Sequence, residues 1–296
     1  MTNPRADRVK RVARLAGRSA RLREGLFLAE GPQAAREALR LHLGHLPSGV
    51  WSAGPVVEAV YVSASGGGHD DGLVQLVDEA ATQRVPVRRA STEVLGAMSD
   101  AVSPQGIVAV CRVPEALRPP RREDSGAMLA ERLQAVLPDR PRLVAALCRV
   151  QDPGNAGTII RAADAAGADA VLLTAGSVDV LNPKTVRSTA GSLFHLPVVS
   201  GVELDQAAEV LGERGVQLLA ADGYGTIRLD RAPSGLLEAP SGWLFGNEAQ
   251  GLNAHELGLA AHRVAVPLYG AAESLNVGTA ATVCLYGSAM AQRRGV

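Results

Sequence analysis

Short apolar runs that break off abruptly into glycine and polar residues constrain this chain more than any other feature. Two lie near the C-terminus. Trp243-Leu244-Phe245 gives way to Gly246, Asn247, Glu248, Gln250 and Gly251, and Val264-Ala265-Val266-Pro267-Leu268 gives way to Gly270, Glu273, Ser274 and Asn276. Runs of this length, bounded in this way, read as buried strands. Val277 to Tyr286 then reads as a small-residue helix with Val277, Ala280, Ala281 and Cys284 on one face. Strand, polar loop, helix is the order in which open α/β folds hold a ligand, beyond the carboxyl ends of the strands.

The same alternation runs upstream. From Arg142 the pattern gives a strand over 143–150, a loop over Gln151–Gly154, a helix over Asn155–Ala166 and a strand over Ala170–Thr174. A helix near 182–190, a strand near 196–199, a helix over 204–214 and a strand over 217–221 follow, predicting a mostly parallel sheet covered on both faces. Nearer the N-terminus, Glu24 to Leu46 reads as one helical region with a turn at Glu30-Gly31-Pro32. Strands at 56–62, 85–88 and 106–113 then alternate with helices at 73–83 and 92–98. Five prolines between Pro114 and Pro141 mark a boundary. The expected organisation is a basic arm at 1–23, an α/β domain at 24–113, a linker at 114–141 and a larger α/β domain at 142–296.

A formal net charge of zero hides an asymmetry. Residues 1–23 carry Arg5, Arg8, Lys10, Arg11, Arg14, Arg18, Arg21 and Arg23 against Asp7 alone. Such an arm suits a polyanion, and equally a solvated helix face. No aromatic residue precedes Phe27, so the arm can neutralise phosphates but not stack on bases. No apolar run nears the roughly 18 residues of a membrane span, and the N-terminus has no apolar signal core. A cytoplasmic protein without a membrane partner is expected. Cys111, Cys148 and Cys284 have no ligand spacing and read as buried free thiols, with no metal.

Three segments offer chemistry. In Asp152-Pro153-Gly154-Asn155-Ala156-Gly157-Thr158, Asn155, Thr158 and Arg161 share one side of the helix while Ile159, Ile160, Ala163 and Ala166 face the sheet. Asn155 as a cap and Arg161 paired with Asp164 would explain this structurally; a phosphate at the helix start would explain it functionally. There is neither a G-x-G-x-x-G turn nor a P-loop lysine. Glu248 suits a helix cap, or an acceptor for a ligand amine or an arginine. Ser274 and Asn276 suit caps for the last helix.

Together the segments N-x-G-x-x-x-R (155–161), L-F-G-N-E-x-x-G-L (244–252) and P-x-x-G-x-x-E-S-L-N-V-x-x-A (267–280) resemble the three signature motifs of the SpoU (TrmH-like) RNA ribose 2′-O-methyltransferases of the SPOUT superfamily. The stretch 181–197 looks like that family's linking segment. Phe27–Gly31 and Ser103–Ala109, including Gln105, look like its N-terminal substrate-binding domain. The resemblance implies an α/β domain with a deep trefoil knot and S-adenosyl-L-methionine (SAM) as cofactor. The cofactor would lie against Ala221, Leu244, Gly246, Asn247, Val266, Pro267, Leu268, Leu275, Asn276 and Ala280. It also implies a homodimer, and catalytic roles for Asn155, Arg161, Glu248, Ser274 and Asn276. Arg5, Arg8, Lys10, Arg11, Arg14, Arg18 and Gln105 would meet RNA, with ribosomal RNA, including the thiostrepton-resistance type, favoured over transfer RNA. The family assigns Arg161 a part in deprotonation, although a charged guanidinium has no acceptor. A non-catalytic RNA-binding homologue and a nucleotide-cofactor oxidoreductase are the other classes. Intact Arg161 and Asn276 argue against the first, and the missing glycine turn against the second.

Overall fold

A computed structural model describes residues 1–47, 55–64, 70–118 and 126–294. Residues 65–69, between the strand expected at 56–62 and the helix expected at 73–83, and the Pro119–Arg122 stretch of the linker fall outside these residues. The chain forms two compact units, Met1–Arg118 with Asp179–His195, and Pro119–Val178 with Leu196–Val296.

In the first unit the basic stretch folds into helices α1 (Asp7–Ala13) and α2 (Arg18–Glu24). Val9, Val12, Leu15 and Ala20 supply a buried stripe between its charges, so the stretch is part of the unit's core and not a loose tail. Arg21 is buried as well. Its guanidinium donates to the Leu15 and Ala16 carbonyls and to Asp179 (2.7 Å). Where one helical region is expected over 24–46, the structure has strand β1 (Leu26–Glu30) before helix α3 (Pro32–His42). A four-residue apolar run buried on both faces carries no period to separate strand from helix. The glycines on either side, Gly25 (φ 64°) and Gly31 (φ 86°), are what end α2 and turn the chain into α3.

Strand β2 (Val57–Ser63), helix α4 (Asp71–Thr82), strand β3 (Val87–Ala90), helix α5 (Thr92–Met98) and strand β4 (Ile107–Arg112) complete a four-stranded sheet of order β1-β4-β2-β3. Residues 179–195, with helix α8 (Pro183–Ser188), belong to this unit and are tied to it at several points. Besides Asp179, Arg187 donates to Glu30 (2.7 Å), His195 meets Glu37 (3.1 Å) and Phe194 stacks on Phe27.

The second unit begins with helix α6 (Gly126–Val136) and strand β5 (Leu143–Leu147), followed by helix α7 (Pro153–Ala165) and strand β6 (Ala170–Thr174). Strand β7 (Val198–Val202), helix α9 (Leu204–Glu213), strands β8 (Gln217–Ala221), β9 (Ile227–Arg228) and β10 (Ser241–Phe245), helix α10 (Ala254–Leu259), strand β11 (His262–Ala265) and helix α11 (Val277–Gln292) follow. The seven strands make one sheet of order β7-β6-β5-β10-β8-β11-β9, parallel throughout. A late strand, β10, therefore lies at the centre between β5 and β8. Its Trp243 is fully buried and donates to Ser288 of α11 (2.9 Å), which satisfies the indole N–H. One turn further along α11, Gln292 donates to the Arg142 and Ala239 carbonyls. The run expected as a strand over Val264–Leu268 leaves the sheet after Ala265, because Pro267 has no N–H for the ladder. Cys111, Cys148 and Cys284 are buried free thiols, and burial pushes the last two up to about 12. No helix among the described residues is long and apolar enough to cross a membrane.

Candidate active site

The loops beyond β8, β10 and β11 and the first turns of α11 enclose a cavity of about 470 Å³. Its closeness depends on glycine. A Cβ at Gly246 would lie 2.3 Å from the Gly251 carbonyl carbon, and Asn247 and Gly251 exchange backbone hydrogen bonds (3.1 and 2.8 Å). The loop thus folds back on itself directly after β10. Ala221, Val266, Leu268, Leu275 and Ala280 give the cavity apolar walls, and Gly246, Asn247 and Pro267, also expected at the cofactor, line it too. Glu248 and Ser274 reach it too.

Leu244 does not. Alternate residues of a strand face opposite sides; Phe245 lines the cavity while Leu244 is buried among Leu211, Val216 and Leu218. Asn276 is not a wall residue either. It caps α11, its Oδ1 accepting from the Gly278 and Thr279 N–H groups (2.9 and 3.3 Å).

The rest of its amide reaches across the fold. Asn276 Nδ2 donates to Asn155 Oδ1 (2.9 Å), and Asn155 Nδ2 donates to Glu248 Oε1 (3.1 Å). Glu248 also accepts from the Gln151 and Asp152 N–H groups (3.1 and 3.0 Å). This chain can run in only one sense. An ionised carboxylate only accepts, so Asn155 must turn its NH₂ towards Glu248, which leaves its oxygen for Asn276. The helix N–H groups in turn require the Asn276 oxygen. Asp152, not Asn155, caps α7 (Asn155 N to Oδ1, 2.8 Å). That frees the Asn155 side chain for the relay. Burial alone would raise the Glu248 pKa, but the Asp152 N–H, Asn155 and the Gln151 N–H together hold it below the usual carboxylate value.

Arg161, two turns along α7, is exposed and makes no ion pair, with Asp164 or any other described residue. Its neighbours on that side of α7 adjoin α11: Thr158 abuts Gly278, and the Ala165 carbonyl accepts from Tyr286 (3.4 Å). Ser274 is exposed at the cavity, without a hydrogen bond to a described residue. Sequence reasoning missed Asp222 and Arg228, which form a polar wall with Glu273. Arg228 forks onto Asp230 (3.0 and 2.9 Å), which also accepts from Tyr269 (2.8 Å), and these two donors lower Asp230 to about 2. Strand β9, which carries Arg228, is two residues long and leaves no periodic trace.

In the first unit Arg5, Arg8, Lys10, Arg11, Arg14 and Arg18 are all exposed. Three of them meet carboxylates among the described residues: Lys10 lies 3.9 Å from Asp7, Arg11 donates to Glu24 (3.3 Å) and Arg18 lies 3.9 Å from Asp179. Gln105 is exposed before β4, its Oε1 beside Gly31.

Residues 142–286 match the SpoU rRNA Methylase family, and residues 50–117 match its RNA 2′-O ribose methyltransferase substrate-binding domain. A similar protein is the 23S rRNA (guanosine(2553)-2′-O)-methyltransferase RlmP of Bacillus subtilis, 40% identical over 200 residues, covering 66% of this chain and 69% of that one. The chain belongs to the SpoU rRNA methylase family. Its fold is similar to that of a crystallised RNA 2′-O ribose methyltransferase (TM-score 0.75, 27% identity, 99% of both chains). It is also similar to the SpoU methyltransferase AviRb from Streptomyces viridochromogenes in complex with AdoMet (TM-score 0.74, 26% identity, 98% of this chain and 99% of that one).

The relay predicts a pH effect. A carboxylate held below its ordinary value of 4.5 lends stability that is complete above that value and is lost as pH falls through the folded one. In Asn155→Asp a second carboxylate would face Glu248 where an amide donor stood, and the Glu248 pKa should rise. Carbon-detected NMR titration reads this directly; an unchanged Glu248 pKa would contradict the relay.

Proposed function

We infer that this protein is a SAM-dependent methyltransferase that modifies a ribose 2′-hydroxyl of ribosomal RNA. The observation that carries the reading is the Glu248–Asn155–Asn276 chain, which begins at the wall of a glycine-closed cavity, with Arg161 on the same helix as Asn155 and unpaired among the described residues. The cavity fits the cofactor. Its volume is in the range of small-molecule sites, apolar walls at Val266, Leu268 and Leu275 suit a nucleoside, and Asp222, Glu248 and Ser274 suit a polar tail. When bound, the cofactor supplies an electrophilic methyl on a positively charged sulfur.

What remains for the chain is alignment and charge. Asn276 and Ser274 hold the target ribose. Asn155, fixed by Glu248, keeps Asn276 in place. Arg161 grips the adjacent phosphate and stabilises negative charge developing on the 2′-oxygen; a charged guanidinium has no acceptor and cannot take the proton, which leaves through phosphate or water. The B. subtilis relative's name supports ribosomal RNA, and 23S rRNA in particular, over transfer RNA. The same bacterial relative supports action in the cytoplasm. The central position of β10 and the close approach of Gly246 to Gly251 favour a knotted path for the chain here.

The chain acts as a homodimer in this reading. Val283, Tyr286 and Met290 form an exposed stripe on α11 beside a second cavity, of about 600 Å³, that Pro233, Leu237 and Val283 help to line. A second copy would cover this face, and Met290→Glu should then sediment as a monomer; an unchanged dimer would place the interface elsewhere.

RNA is held by the first unit. Because Val9, Val12 and Leu15 are core residues, the test is substitution and not deletion. With Arg8, Arg11 and Arg14 changed to Gln, the slope of log affinity against log salt should flatten by about 2 to 3 and the methylated nucleotide should stay the same. An unchanged slope would remove α1 from the interface.

The reaction itself is tested at Arg161. Arg161→Lys, which lacks the planar fork, should cut single-turnover methyl transfer to 23S rRNA by about 100-fold. Calorimetric SAM affinity should stay within a few-fold. Near-normal transfer by the lysine variant would contradict the phosphate grip.

A further inference from the structure

Among the described residues of the second unit, Arg149 alone holds a non-glycine residue at positive φ (56°). Any residue with a Cβ is disfavoured there, so the surrounding contacts must hold it. They do so from both ends. The Arg149 N–H donates to the Thr174 hydroxyl (3.1 Å), and the Arg149 carbonyl accepts from Asn247 Nδ2 (3.0 Å). The side chain then spans the loop that carries Glu248. Nε and Nη2 donate to the two oxygens of Glu256 (2.8 Å each), Nη2 also to the Gly251 carbonyl (3.2 Å), and Nη1 to Gln250 Oε1 (3.3 Å).

Glu256 is almost wholly buried and has a second task. Its Oε2 accepts from the Asn253 N–H (2.7 Å) while Asn253 Oδ1 accepts from the Glu256 N–H (2.9 Å), the reciprocal cap that starts α10. Burial would raise the Glu256 pKa, and Arg149, the Asn253 N–H and His255 together more than offset this. One residue just after β5 therefore joins both ends of the Asn247–Gly251 loop and the first turn of α10: its carbonyl holds Asn247, and its guanidinium holds Gln250, Gly251 and Glu256. Arg149 does not line the cavity, but Asn247 and Gly251, which its bonds hold, both do, as do their loop neighbours Gly246 and Glu248.

We propose that Arg149 is a positioning residue for the cofactor: with Glu256 it fixes the Gly246–Gly251 loop, and through it Glu248, in the shape that receives SAM. This rests on the cofactor reading above. Arg149→Lys keeps the charge but cannot serve Glu256 and Gly251 at once. Arg149→Gly removes the clamp while relieving the backbone. Both should raise the calorimetric Kd for SAM about tenfold, the factor carried by one charge-assisted hydrogen bond, and Glu256→Gln should do the same. The Arg149→Lys/Glu256→Gln double variant should be little worse than either single one, because the pair acts as a unit.

Hydrogen exchange on the full-length protein separates positioning from general weakening. In Arg149→Lys, exchange should quicken at 247–251 and stay slow in α7 and β10. Affinity within twofold of wild type in both Arg149 variants would overturn the proposal, and so would exchange that quickens evenly through the second unit. Failure of the wild type to bind SAM would overturn the cofactor reading, while exchange confined to 247–251 would still uphold the clamp on the loop.

Discussion

A carboxylate that can only accept hydrogen bonds sets the geometry of this site. Glu248 takes two backbone N–H groups from the start of α7 and one from Asn155, and that choice orients Asn155, then Asn276, then the first turn of α11. Glu248 and Asn276 lie 93 and 121 residues from Asn155 in sequence. They meet because β10 enters the sheet next to β5, which brings the loop after β10 against the start of α7. A strand added at the edge of the sheet would leave Glu248 far from Asn155 and its carboxylate without donors.

The same placement demands small residues. Gly246 has no space for a Cβ against Gly251, and Gly278 of α11 lies against Thr158 of α7. Ala281 and Cys284 let α11 lie close on the sheet, where Trp243 fills the remaining space and bonds to Ser288. Burying a side chain of that size contributes about 3 kcal/mol, so the packing that holds α11 also stabilises the cap at its first residue. The polar relay and the apolar core are thus parts of one arrangement.

Much of the second unit was legible because buried strands and amphipathic helices write their periods into sequence: β6, β8 and the buried face of α7 lie where the residue pattern puts them. The site motifs were legible as a set, but their bonding was not. Whether Glu248 serves a cap, an arginine or an amide depends on which segment lies opposite it, and local sequence does not encode that. Leu244 illustrates a finer limit, since only the strand's register decides which of Leu244 and Phe245 faces the cavity. β1 was hidden by an apolar run too short to show a period. Arg149 gave no sign at all, for a left-handed arginine looks in sequence like any other. The stretch at 1–23 shows its charge in sequence, but the four buried apolar residues between the charges determine how it folds.

In this reading a ribose, and not a base, is modified, and in ribosomal RNA. The most direct test is a transcript-wide map of ribose 2′-O-methylation in total RNA from cells with and without the gene. The account predicts the loss of one 2′-O-methyl group from 23S rRNA, restored by the wild-type gene. An unchanged ribose map, a lost base methylation, or a loss confined to transfer RNA would contradict it.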